Sequence, residues 1–246
     1  MSGQEELEEN EQQLLAELRE ISNRSKASSR FFEQSTHSSF SKQEADDSQA
    51  EGGSNFLQSN PEKGQFNQYW YSNHTIKILL EAIQEILPER AGKKGRVAFL
   101  STPSLYFAMS ESDRSSSYVF EYDDVWQKDP RFVFYDFNKP TEIDENLRGK
   151  FDMVVIDPPF LAQEVWENYA ASARFLLEHD PLDKNLDKRG LIIGTTIREN
   201  KDIMKRLFGA EPCNFLPSCP NLVYQFAVYT NHDNCETLKQ VNEELA

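Results

Sequence analysis

The stretch from Phe151 to Phe160, FDMVVIDPPF, constrains the fold of this chain more than any other. Met153 to Ile156 are uniformly apolar, the pattern of a strand covered on both faces, as in a parallel α/β sheet. Pro158 and Pro159 cannot donate to a ladder, so the strand stops there. Asp157 is thereby held at the carboxyl end of a strand, the edge of an open α/β sheet where ligands bind. An ordinary strand exit is the plainer reading, since Asp-Pro is a common turn dipeptide. The apolar strand before it and the aromatic after it favour a functional role.

The rest of the chain supplies the sheet that such a strand needs. Ile76, Leu79, Leu80, Ile83 and Leu87 recur at helical spacing up to Pro88, just after the aromatic-rich run Phe66-Asn67-Gln68-Tyr69-Trp70-Tyr71-Ser72. Arg96 to Leu100 reads as the first core strand, leading into Ser101-Thr102-Pro103-Ser104 and a second helical stretch from Leu105. Tyr118 to Glu121 and Phe132 to Tyr135 read as the second and third strands, and the fourth ends at Asp157. A helix carrying Val165, Trp166, Tyr169, Ala173 and Leu177 follows, then a fifth strand, Gly190 to Thr195, and a helix from Asn200 to Phe208. Strands alternating with helices predict a parallel, doubly wound sheet. Asn214 to Leu216 and Val223 to Thr230, separated by a proline-containing loop, predict a C-terminal antiparallel hairpin.

Ahead of this, residues 1–60 are rich in Ser, Gln, Glu, Asn and Gly, a composition unable to bury enough surface to order itself. Leu7, Leu14, Leu18 and Ile21, with Leu15 alongside, fall on one helical stripe, read as a marginal helix on a disordered tail or as a partner-docking helix. Folding is expected to begin near Phe66, with an acidic tail over 1–60 and one domain over 61–246. The formal charge is −15, from 26 basic and 41 acidic residues; the first 60 residues hold 5 basic against 12 acidic, so the tail carries −7 and the rest −8. A protein that binds by neutralising phosphates shows the opposite balance, so nucleic acid is disfavoured and a basic protein partner favoured. Cys213, Cys219 and Cys235 form no close pair and the four histidines are scattered, so neither a zinc site nor a disulfide scaffold is indicated. No apolar run approaches the ~20 residues of a membrane-spanning helix or suggests a signal peptide, and the cytosol is the expected compartment.

An acid or amide, two prolines and an aromatic at a strand end form the [DN]-P-P-[FYW] signature of methyltransferases that act on a planar or terminal nitrogen. The Asp157 carboxylate and the Pro158 carbonyl can both accept from a target amine, and Phe160 can cover it. In a doubly wound sheet a nucleoside lies over the ends of the first strands, where an acid closing the second strand can bind ribose hydroxyls. Glu121 holds that position, with Asp123 as second candidate; Asp136 and Phe137 close the third strand, suited to an adenine amino group and ring. Each acid alone reads as a solvated loop residue, but their placement at successive strand ends favours a site. The first loop lacks G-x-G, which argues against a dinucleotide; Ser101, Thr102 and Ser104 instead offer hydroxyls and N–H groups to a zwitterionic amino-acid end.

Q-Y-W-Y-S at 68–72, F-L-S-T-P-S at 99–104, F-E-Y-D at 120–123, F-Y-D-F-N-K-P at 134–140 and D-P-P-F at 157–160, in that order, resemble the eukaryotic lysine methyltransferases of elongation factor 1-alpha, once classed as N6-adenine methyltransferase-like. The resemblance covers roughly residues 66–230 and implies a class I S-adenosylmethionine-dependent methyltransferase fold, S-adenosylmethionine as cofactor and a lysine of elongation factor 1-alpha as acceptor. It further implies that Trp70, Tyr71 and Ser72 close over cofactor or target and that Asp157 to Phe160 hold the lysine. The family commonly has an N-E-F-like run near its last strand, where this chain reads Tyr224-Gln225-Phe226, so Gln225 marks a possible change of substrate. Two alternatives stand beside this reading: an N6-adenine nucleic-acid methyltransferase, since the same tetrad can bind an exocyclic amine, and an inert relative that only binds protein.

Overall fold

The structure is a computed structural model that describes residues 56–87, 89–90 and 93–245. The apolar stripe of Leu7, Leu14, Leu18 and Ile21 lies outside the described residues. Seven strands form one sheet in the order β3-β2-β1-β4-β5-β7-β6. They are β1 (Val97–Leu100), β2 (Tyr118–Glu121), β3 (Phe132–Phe134), β4 (Met153–Ile156), β5 (Leu191–Thr196), β6 (Glu211–Pro212) and β7 (Ala227–Thr230). The first five are parallel, while β7 runs antiparallel between β5 and β6. This is the class I methyltransferase fold expected from the sequence. A separate two-residue ribbon pairs Glu89–Arg90 with Lys93–Lys94.

Alternation along the strands divides the core in two. Ala98 and Leu100 of β1, Val154 and Ile156 of β4 and Ile192 of β5 face one side, while Val97 and Phe99, Met153 and Val155, and Leu191 and Ile193 face the other. The first face is covered by α4 (Gln163–Leu176) and α5 (Lys201–Phe208), through Trp166, Tyr169, Met204 and Phe208. Gly194 of β5 makes this approach possible: a Cβ there would lie 2.9 Å from Met204 Cε and 3.5 Å from the Trp166 ring. Helix α5 ends at Gly209, whose φ of +66° closes the last turn with a backbone hydrogen bond to the Lys205 carbonyl.

The second face is covered by α1 (Asn73–Ile86), which presents Ile76, Leu79, Ala82, Ile83 and Ile86, together with Leu105 and Tyr106 of α2 (Pro103–Ala108). A short helix α3 (Glu111–Arg114) follows. Ser72 caps α1, its Oγ accepting from Thr75 N at 3.1 Å. The helix stops at Leu87, which is extended, as the residue before a proline is pushed to be.

Three sequence expectations need correction. The hairpin uses Glu211–Pro212 and Ala227–Thr230; neither 214–216 nor 223–226 is strand. Pro217 and Pro220 interrupt any ladder there, and Val223, 78% exposed, has no core to enter. Tyr135 lies outside β3, its hydroxyl 2.7 Å from Ser172 Oγ on α4. Packing also starts before Phe66: Phe56 is buried, edge-on to Trp70 at 5.2 Å and stacked near Phe107 and Trp126 at 6.0 and 5.5 Å.

Because β2 and β4 flank β1, the chain leaves β1 in opposite directions on its two sides, opening a crevice at the carboxyl ends of β1 and β4. Ser101 N donates to Phe120 O of β2 at 2.9 Å and Asp157 N to Leu100 O of β1 at 3.2 Å, so the two loops leave the sheet side by side.

Candidate active site

Asp157 leaves β4 at the centre of this crevice. Thr195 of β5 donates from Oγ1 to Asp157 Oδ1 at 2.8 Å, and Tyr71 Oη lies 2.6 Å from the same Thr195 oxygen. A hydroxyl has one proton, and that of Thr195 is directed to the carboxylate, so Tyr71 must be the donor in the second contact. Burial drives the Asp157 carboxyl up to about 6, opposed by the nearby hydroxyls of Tyr71 and Thr195. The Tyr71 phenol is raised well above its ordinary value, first by burial and then by the Asp157 charge. Cys219, whose Sγ contacts Trp70 O at 3.2 Å, is also pushed up by burial and by Asp157.

Pro158 is buried beneath the loop, while Phe160, 48% exposed, turns outward. Its ring stands edge-on to Phe137 at 6.0 Å, and Phe137 stacks on Tyr169 at 6.0 Å. The aromatic of the tetrad and the aromatic closing the third strand, far apart in sequence, thus form one wall. Tyr169 continues it to the β1 loop, its hydroxyl 2.6 Å from Ser101 Oγ.

Ser101 has φ +54°, a left-handed conformation that costs a non-glycine residue roughly 1–2 kcal/mol. Thr102 and Ser104 are buried, and Thr102 Oγ1 has no hydrogen-bond partner. At the end of β2, Glu121 accepts from Tyr122 N and Asp123 N, at 2.9 and 3.2 Å, both on Oε1. Burial lifts its carboxyl to about 7, with further upward contributions from Asp123 and Asp157. Asp123 is committed elsewhere: Oδ1 accepts from Val125 N at 3.3 Å and Oδ2 pairs with Lys63 Nζ at 2.6 Å. Asp136 lies at the rim, its Oδ1 accepting from the backbone and side-chain nitrogens of Asn138 at 2.9 Å each.

Residues 61–72 cross the crevice as a strap. Lys63 fastens it to the end of β2, Asn67 Nδ2 donates to Pro159 O at 3.3 Å beside the tetrad, and Tyr71 reaches β5. Within the strap, the residues predicted to close over a ligand divide by role. Tyr71 joins Asp157. Trp70 is buried with Nε1 donating to Asn60 O at 2.8 Å, and Ser72 caps α1 while its hydroxyl also donates to Glu244, so these two hold the strap to the body. Gln68 Oε1 is buried without a partner. Gln225 Nε2 donates to Pro217 O and Phe226 O, each at 2.8 Å, bracing the loop before β7.

Thr195, Tyr169 and Lys63 are site residues that sequence reading did not single out. Thr195 looked like any strand-end residue, and only the pairing of β4 with β5 brings it to Asp157. Among the described residues no group of three or more His, Cys, Asp and Glu is arranged to hold a metal ion. No helix among them is long and apolar enough to cross a membrane.

The family model described as "Probable N6-adenine methyltransferase" matches residues 62–234. The chain is 35% identical to the mouse (Mus musculus) EEF1A lysine methyltransferase 1 over 179 residues, 70% of this chain and 76% of that protein. It is 32% identical to the human protein of the same name over the same shares, and 32% identical to the Saccharomyces cerevisiae protein-lysine N-methyltransferase EFM5 over 72% of this chain and 75% of that one. The matched region begins at the strap and contains every strand of the sheet.

Proposed function

The chain belongs to the N6-adenine methyltransferase-like family that includes these protein-lysine methyltransferases, and from that premise we propose that it methylates a lysine of elongation factor 1-alpha with S-adenosylmethionine as donor. The observation that carries the reading is Asp157, a part-buried carboxylate held by Thr195 at the crevice of the sheet. In this reading residues 61–246 are the catalytic domain, residues 1–60 an acidic tail, and the protein works in the cytoplasm.

The crevice suits that cofactor. Thr102 Oγ1, buried and without a partner at the end of β1, needs one from a ligand. Glu121 has its two backbone donors on Oε1, leaving Oε2 for ribose hydroxyls. Ser101 and Ser104 would serve the amino-acid end, and Phe137 and Asp136 the adenine. Glu121 and Asp157 place acids in the crevice, which favours a cationic sulfonium over a nucleotide phosphate. Because Lys63 occupies Asp123, we assign the ribose to Glu121 alone. Trp70 and Ser72 support the closed strap, and Tyr71 meets the reaction centre.

When bound, S-adenosylmethionine supplies an electrophilic methyl group on sulfur. An acceptor lysine must first shed a proton, since its ammonium, with an ordinary pKa near ~10.4, has no lone pair. The enclosed crevice favours the neutral amine by desolvation. Asp157 and the Pro158 carbonyl accept hydrogen bonds from that amine and aim its lone pair at the methyl carbon, while Phe160 covers the side chain. With that group bound, the N–C bond would form as the S–C bond broke, and the sulfur would leave as a neutral thioether. The ammonium's proton leaves mainly to solvent, and Asp157 takes it only secondarily, because its charge is needed to hold the amine.

The overall charge of −15 suits a basic protein surface better than a phosphate backbone. Incubation with methyl-labelled cofactor and a cell lysate, with and without nuclease, tests the reading. Label is expected on a nuclease-resistant band that co-migrates with elongation factor 1-alpha. Label confined to nuclease-sensitive material would instead establish the adenine reading, and cofactor binding without any transfer the inert one.

A further inference from the structure

We infer that Thr195 is a positioning residue for methyl transfer: its hydroxyl, itself supplied by Tyr71, donates to Oδ1 of Asp157, holds the carboxylate in one orientation as the anion, and leaves Oδ2 for the acceptor amine. The inference rests on the reading of Asp157 as the residue that receives that amine.

Three residues from distant parts of the chain meet to make this contact. Thr195 is the penultimate residue of β5 and is 3% exposed; its strand lies between β4, which delivers Asp157, and β7. Tyr71, 2% exposed, enters from the strap. The contacts of 2.6 and 2.8 Å run in one direction, from phenol to hydroxyl to carboxylate, so each donor is polarised by the next. An isolated carboxylate could rotate and share both oxygens between neighbours. With Oδ1 engaged, only one oxygen remains for a ligand.

The titratable groups around Asp157 make hydroxyl donors necessary. Tyr71 and Cys219 face it from the loops before α1 and β7, Glu121 from β2 and Tyr169 from α4. All four are acids that supply no positive charge. Burial favours the protonated form of Asp157; the hydroxyls oppose it and keep the carboxyl at about 6. Asp157 therefore remains the stronger acceptor at the pH of a cell.

Carbon-13 NMR of aspartate-carboxyl-labelled full-length protein tests this directly, with Asp157 assigned by the signal lost in Asp157→Asn. Thr195→Val keeps the shape and β-branching of the side chain but removes the donor. It is expected to raise the Asp157 titration by about one pH unit, the scale of one charged hydrogen bond. The acid limb of the pH profile for transfer to elongation factor 1-alpha should move up by the same amount, with cofactor affinity unchanged and Thr195→Ser restoring both readouts. An Asp157 titration in folded Thr195→Val that matches wild type would overturn the inference. Should that variant not fold, Tyr71→Phe should raise the same titration as well, and an unchanged value there would also overturn it. The titration needs no acceptor, so wild-type protein that fails to label elongation factor 1-alpha would refute the proposed acceptor and leave this measurement decisive for Thr195.

Discussion

Lys63 Nζ lies 2.6 Å from Asp123 Oδ2, joining the strap to the end of β2. The carboxylate is almost fully buried and the ammonium one-third exposed, so the pair is anchored at its acidic end. Two acids stand at the end of β2, and this contact distinguishes them: Asp123 fastens the strap, while Glu121 is the one we propose for a ligand.

Lys63→Met should accordingly strand a buried carboxylate, with a stability loss on the order of 1–3 kcal/mol. Asp123→Asn should be milder, and the double variant close to Asp123→Asn alone. Thermal melts of the four proteins form the cycle; additive losses would show that the pair is not coupled.

Glu121→Gln separates binding from stability. The folded carboxyl titrates at about 7 against an ordinary 4.5. An acid whose folded value is raised binds its proton more tightly when folded, so its stabilising contribution is present below about 4.5 and lost as pH rises through about 7. Glu121→Gln should therefore raise the melting temperature at pH 8 more than at pH 5, by a free energy on the order of 2 kcal/mol. It should also weaken cofactor binding about tenfold, from loss of charged hydrogen bonds to ribose. Calorimetric titration that finds wild-type affinity would move the ribose contact elsewhere.

Asp157→Ala should reduce methyl transfer by at least about a hundredfold while cofactor affinity changes by no more than a few-fold, because orientation of the amine is lost and the nucleoside contacts are kept. Phe160→Ala should cost less, since it removes a cover and not the acceptor group. Single-turnover assays at saturating cofactor distinguish the two, and wild-type rates in Asp157→Ala would remove the mechanism.

If the carboxylate form of Asp157 receives the amine, as proposed, wild-type transfer should rise with pH through about 6, where that carboxyl titrates. A profile flat from pH 5 to 8 would exclude that requirement.

Deletion of residues 1–55 should leave the melting temperature unchanged, whereas deletion through residue 60 should lower it. The second cut removes Phe56 from its contacts with Trp70, Phe107 and Trp126 and takes away the carbonyl of Asn60 that receives the Trp70 indole. Loss of a buried Phe costs on the order of 3 kcal/mol. Equal melts for the two truncations would show that the aromatic cluster contributes nothing.

The five parallel strands are legible in the residues themselves. Met153 to Ile156, Val97 to Leu100 and Leu191 to Ile193 are apolar runs whose burial on both faces follows from composition alone, and prolines and acids mark where such strands end. The same local signals located Asp157 and Glu121, because a residue that stops a buried strand must lie at the sheet edge. The C-terminal hairpin was harder to read: Val223 and Tyr224 are apolar like strand residues, and only the positions of Pro217 and Pro220 and the lack of a core above them keep the segment out of the sheet. Which groups meet at that edge depends on folding in three dimensions. Thr195 reaches Asp157 because β5 pairs with β4, Lys63 takes Asp123 because the strap crosses β2, and Phe137 meets Phe160 through the packing of Tyr169. Hydrogen bonds and ring contacts act over a few ångströms, so they depend on distances in space that no sequence spacing encodes.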